Sequence, residues 1–168
     1  MSILRDDVVS RKDDQGSDPL GRWSYHSLQC KNDRHVTFIT AYQPCMGSPS
    51  KEGKMTVITQ QYSLLLKEKR HKPENVRMHF IRDLKTFLRT RRAKGDRIIL
   101  SGDFNEVIGV SHDGMAGLCR ALNLVDCIHH FHGSPQGRFP TYIDGNTIVD
   151  YVLMDVDLLP TVKACGYL

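Results

Sequence analysis

The sequence predicts an α+β domain, a sheet with helices laid on its faces. Three observations predict it. Short runs rich in β-branched and aromatic residues recur, at His35 to Tyr42, Arg97 to Leu100 and Thr147 to Met154. Two amphipathic stretches lie between the first and second of these runs, with apolar residues at helical spacing. The second run leads straight into a compact polar cluster, Ser101-Gly102-Asp103-Phe104-Asn105. An order of strand, strand, helix, helix, strand, helix, strand places helices over sheet faces.

Taken in order, Met1 to Leu20 is polar and weakly periodic, and is expected to be loosely ordered. Arg22 to Leu28 alternates around Trp23, Tyr25 and Ser27 and reads as a strand. Lys31-Asn32-Asp33-Arg34 is a turn, so the strand at His35 to Tyr42 closes a hairpin. Gln43 to Gly53 holds Pro44, Gly47, Pro49 and Gly53 and reads as a loop. A helix follows from about Thr56 to Lys69, with Ile58, Tyr62, Leu65 and Leu66 on one face. His71-Lys72-Pro73 breaks it, and Pro73 with Glu74 suits the start of the next helix. In that helix Val76, Phe80, Leu84 and Leu88 recur every four residues, and Gly95 suits its C-terminal end. Met115 to Leu122 reads as a short helix, Val125 to Ile128 as a brief strand and Ser134 to Gly137 as a turn. Val162 to Leu168 could begin a last strand.

The chain has 168 residues, 40% hydrophobic and 25% charged, as one ordinary domain does. No apolar run is long enough to span a bilayer, and the first residues lack the apolar core of a secretory signal. The five cysteines are odd in number and form no Cys-x-x-Cys pair, which argues against a disulfide framework and a structural zinc. Reduced thiols in an intracellular, non-secreted protein are expected. The net charge of +4 neither demands nor excludes a polyanionic partner. The cationic clusters, Lys67 to Lys72 and Arg89 to Arg97, read as solvated helix ends rather than a nucleic-acid stripe.

The chemistry centres on Asp103 and Asn105. A hydrophobic strand delivers both at its C-terminal end, and two residues apart on an extended chain they project to the same side. A carboxylate can orient a metal ion or an attacking water, and a carboxamide can donate to a phosphate oxygen. Gly102 lets the backbone approach something closely. Two further segments accompany them in order: Thr40-Ala41-Tyr42-Gln43-Pro44 at a strand end, and Ile148-Val149-Asp150-Tyr151-Val152-Leu153 within a strand.

In these three motifs the sequence resembles the endonuclease/exonuclease/phosphatase superfamily, which includes abasic-site endonucleases and DNase I-like nucleases. It is most like the endonuclease regions of non-LTR retrotransposon proteins. That family shows Tyr-x-Pro, then Gly-Asp-Phe/Leu-Asn, then an Asp-Tyr strand, and lastly Ser-Asp-His. The agreement covers the chain from about Arg22 onward. The resemblance implies a four-layer α/β/β/α sandwich of the DNase I-like type, of which this chain would hold part of both sheets. It implies hydrolysis of phosphodiesters with Mg2+ or Mn2+, and nucleic acid as the partner without a membrane. A retroelement origin would place the protein in the nucleus. Asp103 would orient the nucleophilic water and could contact the metal. Asn105 would hold the scissile phosphate, with Tyr42 beside it as a donor or a phenolate. Asp150 would orient the catalytic histidine, and Thr141 would be structural.

The departures are as informative. No glutamate precedes Glu52, so the family's metal-binding Glu upstream of Tyr-x-Pro has no counterpart, and no Ser-Asp-His follows Asp150. Pro44 is followed by Cys45 where several members carry asparagine. The resemblance therefore implies a partial domain over residues 21–168 with impaired hydrolysis. A phosphatase or phosphodiesterase for lipid or nucleotide headgroups, and an inactive remnant or interaction module, are the alternatives. No substitute for the missing groups is evident. His129, His130 and His132 have no carboxylate or cysteine at ligand spacing and are expected in a solvated loop. Glu106 is expected to point away from Asp103 and Asn105.

Overall fold

The computed structural model describes residues 6–47, 56–68, 75–110, 112–133, 140–142 and 145–166. A short helix, α1 (Asp6–Val9), precedes strand β1 (Lys12–Ser17). The expected hairpin is β2 (Trp23–Gln29) and β3 (His35–Tyr42), antiparallel across a 3-10 turn at Lys31–Asp33. Two helices follow, α2 (Val57–Lys67) and α3 (Val76–Ala93), and the chain returns in β4 (Asp96–Asp103), parallel to β3. Then come α4 (Met115–Leu122), β5 (Leu124–Asp126), α5 (Cys127–His132), β6 (Asp150–Asp155) and a 3-10 turn at Val156–Thr161. The strands make one sheet in the order β1-β2-β3-β4-β6-β5.

Helix α3 forms where its four-residue apolar spacing predicts. Asn75 caps it, its side-chain oxygen accepting from the amides of Arg77 and Met78. Phe80, Ile81, Leu84 and Leu88 are buried on one face against Trp23, Ile39, Ile98 and Leu100 of the sheet. Gly95 follows the end at φ +91°, a conformation a side chain would resist. From α4, Met115, Leu118 and Leu122 join the same core. On the opposite face a smaller cluster of Cys127, Met154 and Leu159, with Ile99, Val125 and Val152 against it, covers one corner. Phe38 on that face stays 38% exposed.

Several sequence expectations are corrected. All six strands lie in one sheet, where parts of two were expected. Residues 12–17 are an edge strand rather than loosely ordered chain. Their polar side chains hide no periodicity because an edge strand is held by its backbone ladder and a few ion pairs. Here Asp14 Oδ2 accepts from Arg91 Nη1 at 2.6 Å. The strand expected at Val125 to Ile128 is β5 only to Asp126, whose side chain then caps α5 by accepting from the His129 amide. The stretch after Val156 is a 3-10 turn and no strand forms over 162–166. Pro73, Glu74 and the turn at Ser134 to Gly137 lie outside the described residues.

The β3-α2-α3-β4 crossover decides where a site can form. Because β3 and β4 are parallel neighbours, their C-terminal ends lie at one edge of the sheet. Crevices outside such strand ends are where open α/β sheets place ligands.

Candidate active site

The register assembles the site. Tyr42 pairs with Asp103 across the parallel β3–β4 ladder, and Asp103 pairs with Asp150 across the antiparallel β4–β6 ladder. Residues opposite one another project to the same face, and adjacent strands are about 4.8 Å apart. Tyr42, Asp103 and Asp150 therefore form a row across three strands, on the face away from α3. Ala41 and Leu100, alternating with them, point into the helix-covered core.

Gly102 makes this row possible. Its φ is +150°, and a Cβ there would lie 1.8 Å from the Ala41 carbonyl oxygen. Only glycine lets β4 approach β3 this closely. The ladder is continued beyond the strands, the Gln43 amide donating to the Asp103 carbonyl at 2.9 Å and the Phe104 amide to the Val149 carbonyl at 2.9 Å.

Asn105 reaches the site by another route than the extended chain expected of it. The strand ends at Asp103, and Asn105 adopts φ +45°. Its amide donates to Asp103 Oδ1 at 2.9 Å, a local turn of the kind aspartate favours. The Asn105 side chain is held at both ends: Nδ2 donates to the Gln43 carbonyl at 2.8 Å, and Oδ1 accepts from the Cys45 thiol at 3.1 Å. The same side chain also bonds Asp103 and Tyr42. The Tyr42 hydroxyl lies 4.0 Å from the same thiol.

Electrostatics fit this geometry. Burial, most of all, raises the Asp103 pKa above the usual carboxylate value. The Asn105 amide opposes that, the charge of Asp150 adds to it and the charge of Arg77 lowers it. Burial, then Cys45, then the charge of Asp103 push the Tyr42 phenol up, so at neutral pH it is protonated and a donor. Thr141, expected to be structural, accepts through Oγ1 from the amides of Val149 and Asp150 at 3.0 and 3.1 Å and so sets where β6 begins.

Cys45 and Arg77 are participants the motifs did not reveal. Cys45 could have been found from its place after Tyr-x-Pro. Arg77 carries no sequence signal, because its partners lie 27 to 33 residues away. The extended chain on which the expected orientation of Glu106 rested ends at Asp103; Glu106 binds Arg77 at 3.2 Å and accepts from the Met115 amide at 2.9 Å. The three histidines sit on or at the end of α5, and among the described residues no three His, Cys, Asp or Glu side chains converge on a metal position. Mg2+ needs no such cage, since one or two carboxylates with water and phosphate suffice. Asp103 and Asp150, whose like charges oppose each other, make that smaller donor set.

Comparison with solved structures decides the fold. The chain matches human Nocturnin's catalytic domain, solved with bound sulfate, at TM-score 0.50 and 16% identity over 81% of this chain and 42% of that one. It matches a 3′ phosphatase, NExo from Neisseria, bound to product DNA hairpin, at TM-score 0.52 and 15% identity over 89% and 60%. The chain has the DNase I-like fold. These neighbours belong to the endonuclease/exonuclease/phosphatase superfamily. The chain spans about half the length of the solved proteins it matches. No protein-family profile and no curated protein sequence matches it.

Proposed function

We propose that this chain carries the phosphate-handling centre of a divalent-metal-dependent phosphodiesterase of endonuclease type, acting on nucleic acid. The row of Tyr42, Asp103 and Asp150 beside a doubly anchored Asn105 carries the reading. A DNase I-like neighbour bound to a DNA hairpin supports nucleic acid as the substrate class. The motif order supports the likeness to retroelement endonuclease regions.

Each residue has a part its geometry allows. Asn105, fixed by Gln43 and Cys45, offers its side-chain amide to a non-bridging phosphate oxygen in exchange for its bonds to Asp103 and Tyr42. Tyr42, held protonated, donates to the same phosphate. Asp103, as the carboxylate, accepts from an attacking water and aims it at phosphorus. A divalent ion held by Asp103, with Asp150 near, would neutralise charge building on the phosphate. In the resembling family the aspartate at the place of Asp150 orients a histidine; in this chain Asp150 adds its charge beside Asp103.

Supercoiled plasmid and a small activated phosphodiester, each incubated with Mg2+ and with chelator, test the reading. Metal-dependent nicking that Asp103→Ala abolishes supports it. Turnover of the small diester alone would redirect the substrate to nucleotide or lipid headgroups. Inertness toward both in demonstrably folded protein would leave an inactive scaffold.

A further inference from the structure

Arg77 stands in the first turn of α3, the crossover helix that joins the two central strands. Its side chain is only 12% exposed. Nη1 donates to the Pro44 carbonyl, two residues beyond Tyr42. Nη2 faces the Phe104 carbonyl at 3.4 Å, the Asn105 carbonyl at 3.1 Å and Glu106 Oε2 at 3.2 Å. Glu106 Oε1 in turn accepts from the Met115 amide, at the start of α4, at 2.9 Å. One guanidinium therefore ties the loop after β3, the loop after β4 and, through Glu106, a second helix.

The tie falls at a left-handed residue. Asn105 holds φ +45°, a conformation asparagine takes more readily than other residues with side chains. Arg77 donates to the carbonyls of Phe104 and of Asn105 itself. The anchors of the Asn105 side chain, the Gln43 carbonyl and the Cys45 thiol, flank Pro44, the other residue Arg77 holds. A lysine could not substitute: a single ammonium lacks the planar fork that reaches two loops at once.

We propose that Arg77 is the positioning residue of this site, locking the Tyr42–Cys45 loop to the Asp103–Glu106 loop so that the Asn105 amide is presented to phosphate. It touches no substrate itself. The proposal rests on the phosphodiesterase reading for what the amide meets, but the lock can be measured without catalysis.

The test uses the full chain with Arg77→Lys, which keeps the charge, and Arg77→Gln, which keeps polarity, so that one of the two remains folded. The reporter is the Asn105 side-chain NH2 pair in a 15N–1H spectrum, with kcat and KM on a small phosphodiester in Mg2+ read in parallel. In the wild type the Nδ2 group is fixed by its bond to Gln43 and by the side chain's contacts with Asp103 and Tyr42. Both variants are expected to shift those signals toward the values of an unrestrained asparagine side chain, in protein that stays folded at a lowered melting temperature. They are also expected to lower kcat by roughly 10- to 100-fold with KM little changed, since a 1 Å misplacement costs that much. Unchanged Asn105 signals in either folded variant would overturn the proposal. Altered signals in a chain whose wild type hydrolyses nothing would uphold the lock and sink the phosphodiesterase reading.

Discussion

Asp103 carries a cost that its proposed role explains. Burial and the neighbouring Asp150 raise its folded pKa above the ordinary aspartate value of 3.8. A raised carboxylate stabilises the fold below that unfolded value, and the contribution is lost as pH rises through the folded pKa. Above its folded pKa Asp103 ionises at the expense of stability. Asp103→Asn should raise the melting temperature slightly at pH 7 while lowering any phosphodiesterase rate by about 100-fold or more. Calorimetry and a plasmid assay on one preparation check both. The thiols make a second prediction. Burial pushes Cys119 and Cys127 up to about 12, whereas Cys45 is exposed beside Asn105. Iodoacetamide at pH 8 should label Cys45 in the native protein and leave Cys119 and Cys127 until denaturant is added, as peptide mass mapping will show. At this scale the sequence was legible in its motifs: Tyr42, Asp103, Asn105 and Asp150 are brought together. What it concealed is how Asn105 gets there, because a left-handed turn held by Cys45 and Arg77 is written in contacts across 28 to 60 residues.

At the scale of elements, two devices hold the site's floor in place. The first is the close approach of β4 to β3 at Gly102. Gly102→Ala forces a Cβ into the Ala41 carbonyl, backbone that cannot yield, so it should cost roughly 3 kcal/mol or more by urea unfolding. The second is a buried polar cluster at the far end of the same strands. Arg91 Nε donates to Asp96 at 2.6 Å, Thr37 donates to the same carboxylate at 2.6 Å, and Arg91 also binds Ser27 and Asp14. Arg91→Met strands Asp96 as a buried unpaired charge and should cost about 3–5 kcal/mol. Asp14 adds a pH dependence. The bond from Arg91, the largest cause, lowers its pKa, so its contribution is present above the unfolded value of 3.8 and lost as pH falls through the folded pKa. Amide exchange in β1 should accelerate before the rest of the sheet as pH drops below about 4. Strand β1 escaped the sequence for this reason: its order comes from the backbone ladder to β2 and from Arg91, 77 residues away from Asp14, and from no pattern of its own. Helix α3 was legible because its apolar stripe is continuous, and α5 was not, because the apolar run at Val125 to Ile128 masks the cap at Asp126.

For the whole molecule, motif order and helix periodicity together predicted the DNase I-like fold, and the solved neighbours bear it out. The division of the fold between sheets was not legible. Strand-like runs reveal that a segment is extended, but not which sheet it enters. Among the described residues, α3 and α4 lie over one face and only a corner of the other is covered, so Phe38, Ile99 and Val152 leave an apolar sheet surface in partial contact with solvent. Such a surface predicts concentration-dependent self-association of the isolated chain, which light scattering from about 10 µM upward would register. A monomer with a sharp, reversible melt would speak against treating residues 21–168 as a partial domain.

The most direct test of the central claim is where a nucleic acid binds, whether or not it is cut. A short single-stranded oligonucleotide would be titrated into 15N-labelled protein with Ca2+ in place of Mg2+, and the shifted amides mapped. The account predicts shifts concentrated at Tyr42, Gln43, Asp103, Asn105 and Asp150, lost in Asp103→Asn with the metal dependence. Shifts confined to the arginine-rich outer face of α3, or none at all in folded protein, would contradict it.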